Sequence, residues 1–166
     1  MPVIVRESAL VGTAYFPGAE EQTYKIENPT FEDSSAWLVG TSEVSVTALR
    51  GGEILDPKEL PLRYAGISPC FRREAGTYGK DARGLYRVHQ FQKVEQVIVD
   101  VADEARSRAH LEDIVKNAED LLKALELPYR VVAVCSGDMG RGQVYKYDLE
   151  AWMPSRKGYG ETHSAS

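Results

Sequence analysis

A chain of 166 residues, 43% hydrophobic and 27% charged, has the composition of an ordinary folded protein and can bury one core. Its formal net charge of −5 excludes a surface built to coat polyanions in general, though not a local basic patch, and no apolar run approaches the ~20 residues that cross a bilayer. Cys70 and Cys135 lie far apart and neither belongs to a C-x-x-C pair, so they read as small hydrophobes in a reducing cytoplasm rather than zinc ligands. His89, His110 and His163 are too scattered to suggest a metal cluster, and the N-terminal residues show no secretory signal.

Residues 1–27 predict short strands and turns, punctuated at Phe16-Pro17-Gly18. Residues 28–36 are polar and read as an exposed loop. Residues 37–40 form a short apolar strand that runs into Thr41-Ser42-Glu43, and a short helix begins at 44–49 with Thr41 or Ser42 as its N-cap. Residues 62–71 predict a strand interrupted at Gly66. A glycine-rich, charged loop follows at 75–84. Residues 86–101 predict a long strand in which Arg87, His89, Phe91, Lys93 and Glu95 share one face.

The clearest helix spans 104–126. Its apolar positions Leu111, Ile114, Val115, Ala118, Leu121, Leu122 and Leu125 follow the i, i+3, i+4, i+7 spacing, and Pro128 ends it. Strands are expected at 129–135 and 144–152, with a turn at 136–140 between them. The order of elements is an α+β pattern with a mainly antiparallel sheet flanked by helices, not alternating βαβ units. No Walker sequence and no G-x-G-x-x-G is present, so a nucleotide would be held by side chains on a sheet.

The chemistry concentrates in Phe71-Arg72-Arg73-Glu74 and in Arg87-Val88-His89-Gln90-Phe91-Gln92-Lys93-Val94-Glu95. Arginine forks match phosphate oxygens, a flat ring can stack on a base, and carboxylates can hold an amine or a magnesium ion. Taken alone, Arg72 and Glu74 could be a solvated salt bridge on a sheet edge. Two arginines, a phenylalanine and two glutamates on one sheet face make a poor core and an unusual surface, which favours a nucleotide triphosphate plus a small amino-bearing substrate. The expectation is one open face bearing Arg72, Glu74, Arg87, Phe91 and Glu95, with the 104–126 helix packed on the other face.

With these residues in place, the chain resembles the catalytic domain of seryl-tRNA synthetase, a class II aminoacyl-tRNA synthetase. The resemblance rests on residues 62–74, Gly79-Lys80-Asp81-Ala82-Arg83-Gly84-Leu85 and residues 87–91, together with Val39-Gly40-Thr41-Ser42-Glu43-Val44 and Gly160-Glu161-Thr162-His163-Ser164. Essentially all 166 residues can be placed within the family pattern.

The resemblance implies the class II catalytic fold, in part, and these roles. Arg72 grips the α-phosphate of ATP and the serine carboxylate, Glu74 orients the adenine end, Arg87 meets the terminal phosphates and Phe91 stacks on adenine. Val88, Glu161, Thr162, His163 and Ser164 complete the ATP site, with Glu161 holding Mg2+. Thr41, Ser42, Glu43 and Glu95 take the amine and hydroxyl of serine. Lys80, Asp81 and Arg83 reach the acceptor end of tRNA.

The implied activity is a cytoplasmic serine–tRNA ligase that uses L-serine, ATP and the tRNA for serine. It would be a homodimer in its full-length context, with no zinc and no membrane. The family's tRNA-binding arm and first motif would lie before Met1, and its third motif beyond Ser166. Residues 1–166 then read as a single partial catalytic domain whose isolated activity is weak or nil. Two alternatives stay open: a non-catalytic module that binds ATP or serine, and a ligase that charges a carrier protein.

Overall fold

The computed structural model describes residues 1–27, 35–76 and 84–166. These form two compact units, Met1–Val99 and Asp100–Ser166.

In the first unit, β1 (Ile4–Arg6), β2 (Lys25–Ile26) and β3 (Ala36–Leu38) form an antiparallel sheet with β3 in the middle. A six-residue helix, α1 (Glu7–Gly12), stands where strands and turns were expected. It is too short to display a helical period, and only Leu10 of its residues is buried. Leu10 joins Val5, Phe16, Trp37, Val39 and Val44 in one core cluster, where Phe16 meets Trp37 edge-on at 4.9 Å.

β4 (Leu62–Phe71) and β5 (Gln90–Val99) form a long antiparallel pair. Alternation gives each face its character. Gly66, Ser68 and Cys70 on β4 are buried, opposite Glu95, Lys93 and Phe91 respectively. Small side chains on one strand thus leave room for three long ones on the other. The opposite face carries the exposed pair Ile67 and Val94.

A short helix, α2 (Glu43–Thr47), packs over the first of these faces. The approach is close: a Cβ on Gly66 would lie 3.0 Å from Val46 Cγ2 and 3.2 Å from Ser42 Oγ. Gly66 is therefore no break in the strand but the place where α2 rests on it.

β5 begins at Gln90, so the long strand expected from residue 86 is shorter, and Arg87 lies ahead of it. Likewise β4 ends at Phe71, and Glu74 has φ 51°. Strand alternation therefore does not set the directions of Arg72, Glu74 and Arg87; the turns that follow and precede the strands do.

In the second unit, α3 (Glu104–Ala124) starts at Asp103, whose carboxylate accepts from the Arg106 amide at 2.8 Å. Its stripe of Leu111, Val115, Ala118 and Leu122 packs on Leu149, Ala151 and Ala165. Those residues belong to the antiparallel sheet of β6 (Tyr129–Ala133), β7 (Tyr147–Met153) and β8 (Gly158–Ala165). The strands that follow the helix in sequence take up its apolar stripe. Leu121 and Leu125, which also fit the spacing, are exposed at the stripe's edge. The C-terminal residues, which carried no element in the sequence reading, form β8. Among the described residues no helix is long and apolar enough to cross a membrane.

Candidate active site

The site face of the first unit is built in three steps. β5 presents Phe91, Lys93 and Glu95 on one side by alternation. β3 leads through Gly40 to Thr41 and α2, which lay a hydroxyl and a carboxylate over that side. The turn after β4 then brings Arg72 and Glu74 to its edge.

Arg72 is held from both ends. Its amide donates to the His89 carbonyl at 3.0 Å, and its Nε donates to the Gly40 carbonyl at 3.2 Å. The guanidinium lies 5.2 Å from the centre of the Phe91 ring, a cation–π distance. Glu74 accepts from Arg87 at 2.9 Å. Gln22 fixes the turn that carries Glu74: its side chain donates to the Ala75 carbonyl at 2.8 Å and accepts from the Ala75 amide at 3.1 Å. A cavity of about 320 Å³ opens here, lined by Tyr15, Gln22, Gly40, Arg72, Glu74 and Arg87.

Beside it, Thr41 uses its full hydrogen-bonding capacity. It donates to Glu95 Oε2 at 2.6 Å and accepts from Lys93 Nζ at 2.5 Å and from the Glu43 amide at 3.2 Å. Lys93 also pairs with Glu95 at 2.6 Å. Glu43 Oε2 accepts from the Tyr15 hydroxyl at 3.0 Å. Burial first, then the charge and hydrogen bond of Glu43, push the Tyr15 phenol well above the ordinary phenol range. Ser42 differs from its neighbours: its side chain is fully buried, its hydroxyl faces Gly66, and it has no hydrogen-bond partner among the described residues.

Arg72, Glu74, Arg87, Phe91, Thr41, Glu43 and Glu95 thus come together in the first unit. Val88 is half-buried just ahead of β5. Lys80, Asp81 and Arg83 lie outside the described residues. The sequence reading missed Tyr15 and Gln22. Tyr15 lies 28 residues from Glu43 and carries no local motif.

Glu161, Thr162, His163 and Ser164 lie on β8 in the second unit. A register shift places Leu149 opposite His163 but Glu150 opposite Glu161, so Thr162 is the extra residue of a bulge. Its hydroxyl donates to the Leu149 carbonyl at 3.1 Å. The bulge returns Glu161 to the sheet face away from α3, which it shares with Glu150, Asp148 and Ser164. Glu161 is exposed on that face, and Glu150 across the ladder accepts from Arg130 Nε at 2.6 Å, so among these carboxylates Glu150 is already paired with a cation. His163 faces the α3 side, half-buried, and desolvation holds its imidazole below the usual histidine range.

The first unit thus carries an aromatic ring and a carboxylate on a strand face of an antiparallel pair, with two arginines and a further carboxylate brought to its edge by the flanking turns. The tRNA synthetase class II core domain (G, H, P, S and T) matches residues 24–166, and the chain belongs to that family. Within the class, the similarity is to enzymes for serine. The serine–tRNA ligase of Deinococcus radiodurans is 50% identical over 163 residues, covering 98% of this chain and 37% of that protein. The crystal structure of seryl-tRNA synthetase from Pyrococcus horikoshii complexed with ATP matches with a TM-score of 0.90 and 45% identity, covering 99% of this chain and 35% of that one. The cytoplasmic serine–tRNA ligase of Naegleria fowleri in complex with AMP matches with a TM-score of 0.87 and 34% identity, covering 98% and 38%. The chain therefore spans little more than a third of the length of these relatives.

Proposed function

We propose that this chain is the ATP- and serine-binding part of a serine–tRNA ligase, acting in the cytoplasm and, in its full-length context, as a homodimer. The observation that carries the reading is one strand face that joins Arg72 over Phe91 to a Thr41–Glu95 pair. The first suits a nucleotide and the second a hydroxyl and an amine. Similarity along the whole chain to synthetases crystallised with ATP and with AMP supports it.

The reaction that fits is in-line attack by the serine carboxylate on the α-phosphorus of ATP. The new O–P bond forms as the bond to pyrophosphate breaks, giving seryl-adenylate and pyrophosphate. A terminal ribose hydroxyl of tRNA then attacks the seryl carbonyl and AMP leaves. In this reading Arg72 pairs with both the α-phosphate and the serine carboxylate, drawing the reacting atoms together and offsetting their charge. Arg87 takes the terminal phosphates, and Glu74, held by Arg87, orients the adenine amino group. Phe91 and the half-buried Val88 form the base platform. Glu95, Thr41 and Glu43 receive the serine hydroxyl and amine, while Ser42 supports them from beneath by packing.

In the second unit, Glu161 would hold a magnesium ion arriving with the triphosphate, which supplies further neutralisation of phosphate charge. Ser164, on the same sheet face as Glu161, and the bulge residue Thr162 are assigned to the same end of the nucleotide, and Lys80, Asp81 and Arg83 to the tRNA acceptor end; His163, which faces α3, is given no nucleotide contact. No protein nucleophile is required.

Titration of the purified chain with ATP and with a non-hydrolysable seryl-adenylate mimic, alongside pyrophosphate exchange, tests the proposal. Saturable binding of both supports it. Binding without exchange points to a module that binds and does not turn over, and failure to bind either ligand refutes the reading.

A further inference from the structure

Tyr15 lines the cavity and also reaches the Thr41–Glu95 group, through Glu43. It is rigidly placed. Its amide and that of Phe16 both donate to the Leu10 carbonyl, at 2.9 and 3.2 Å, and Phe16 is locked against Trp37. The phenol stays protonated, because burial and the neighbouring carboxylate both oppose ionisation, so its hydroxyl remains a donor to Glu43.

The charges around the cavity divide unevenly. Glu95 is paired with Lys93 at 2.6 Å, and Glu74 with Arg87 at 2.9 Å. Among the described residues the polar side chain that holds Glu43 is the neutral Tyr15 phenol. Thr41 has no capacity left, since Glu95, Lys93 and the Glu43 amide use its donor and both lone pairs. Among the described residues, the anionic charge on this side that no ammonium or guanidinium partner is seen to pair with is therefore that of Glu43. Tyr15 also precedes residue 24, where the match to the class-wide core begins. That position suits recognition of one amino acid rather than the ATP chemistry the class shares.

We infer that Tyr15 is a positioning residue that acts through Glu43, fixing it as the carboxylate that receives the ammonium group of the amino-acid substrate. Glu95, already paired with Lys93, is left to meet the substrate's hydroxyl together with Thr41. The inference deepens the proposed function and rests on it.

Calorimetric titrations of the 166-residue chain with L-serine and, separately, with ATP test it in four forms: unaltered, Tyr15→Phe, Glu43→Gln and the double variant. Tyr15→Phe keeps the ring and removes only the donor. Loss of one hydrogen bond to a charged group should weaken L-serine about tenfold and leave ATP within about twofold. The double variant should bind L-serine no more weakly than Glu43→Gln alone, because Tyr15 acts through Glu43. An unchanged L-serine affinity in Tyr15→Phe, losses that add in the double variant, or equal weakening of both ligands would overturn the inference while leaving the functional reading intact. If the unaltered chain binds neither ligand, both fail together.

Discussion

Replacing Gly66 with alanine tests how the fold holds the site, because a single methyl group would enter the contact between β4 and α2. Two effects oppose each other. Alanine in a strand interior is favoured over glycine by about 0.5–1 kcal/mol, through the entropy of the unfolded chain. Against this, the new Cβ would lie 3.0 Å from Val46 Cγ2, 3.2 Å from Ser42 Oγ and 3.2 Å from Met1 Cγ. Met1 is half-exposed at the chain end and can move aside. Val46 and Ser42 cannot: both are buried, both stand at α2, and Val46 is β-branched.

Overpacking of this kind costs about 1–3 kcal/mol, so the net expectation is a loss of about 1–2 kcal/mol. Urea denaturation, followed by the fluorescence of Trp37, reads it directly. The same displacement should move Thr41 and Glu43, which precede and open α2, and weaken L-serine more than ATP. A variant as stable as the parent, or more so, would refute the claim that α2 is seated on Gly66.

Further outcomes follow from the same geometry. Ser42→Ala removes a buried hydroxyl with no partner among the described residues, so stability should rise by up to about 1 kcal/mol with L-serine affinity unchanged; a calorimetric titration showing a tenfold loss would restore that hydroxyl to the site. His163 should make the second unit sensitive to acid. Its folded-state pKa is depressed by burial, so the unfolded chain binds the proton more readily and stability falls as pH drops below about 6.5. His163→Gln should flatten the pH dependence of the denaturation midpoint between pH 7 and 5.5, and an identical slope in the variant would contradict this.

The parts legible in the sequence are those where a local period meets a buried face. Strand β4 and helix α3 are visible for that reason: β4 alternates small buried residues with more exposed ones, and α3 repeats its apolar stripe from Leu111 to Leu122, about three turns. What α3 packs on was not legible, because an apolar stripe does not name its partner, and β7 and β8 supply it. Arg72, Glu74 and Arg87 were recognised as residue types, but their grouping was ascribed to strand alternation. It arises instead from a turn with a positive-φ Glu74 and an Arg87 that lies ahead of β5. Helix α1 was too short to show a period. Tyr15 and Gln22 had no signal at all, since only tertiary contacts 28 and 53 residues away bring them to the cavity.

The central claim is that one strand face divides between a nucleotide and an amino acid. Measuring ATP and L-serine affinities of Arg72→Ala and Glu95→Ala in a competent, full-length context tests it most directly. Arg72→Ala should weaken ATP and L-serine together, because the guanidinium is assigned to both the α-phosphate and the serine carboxylate. Glu95→Ala should spare ATP and cost L-serine on the order of several kcal/mol, because a site built to pair with a hydroxyl and an amine is left with unmet partners. An unchanged affinity for L-serine in Glu95→Ala, or a loss that falls on ATP instead, would contradict the account.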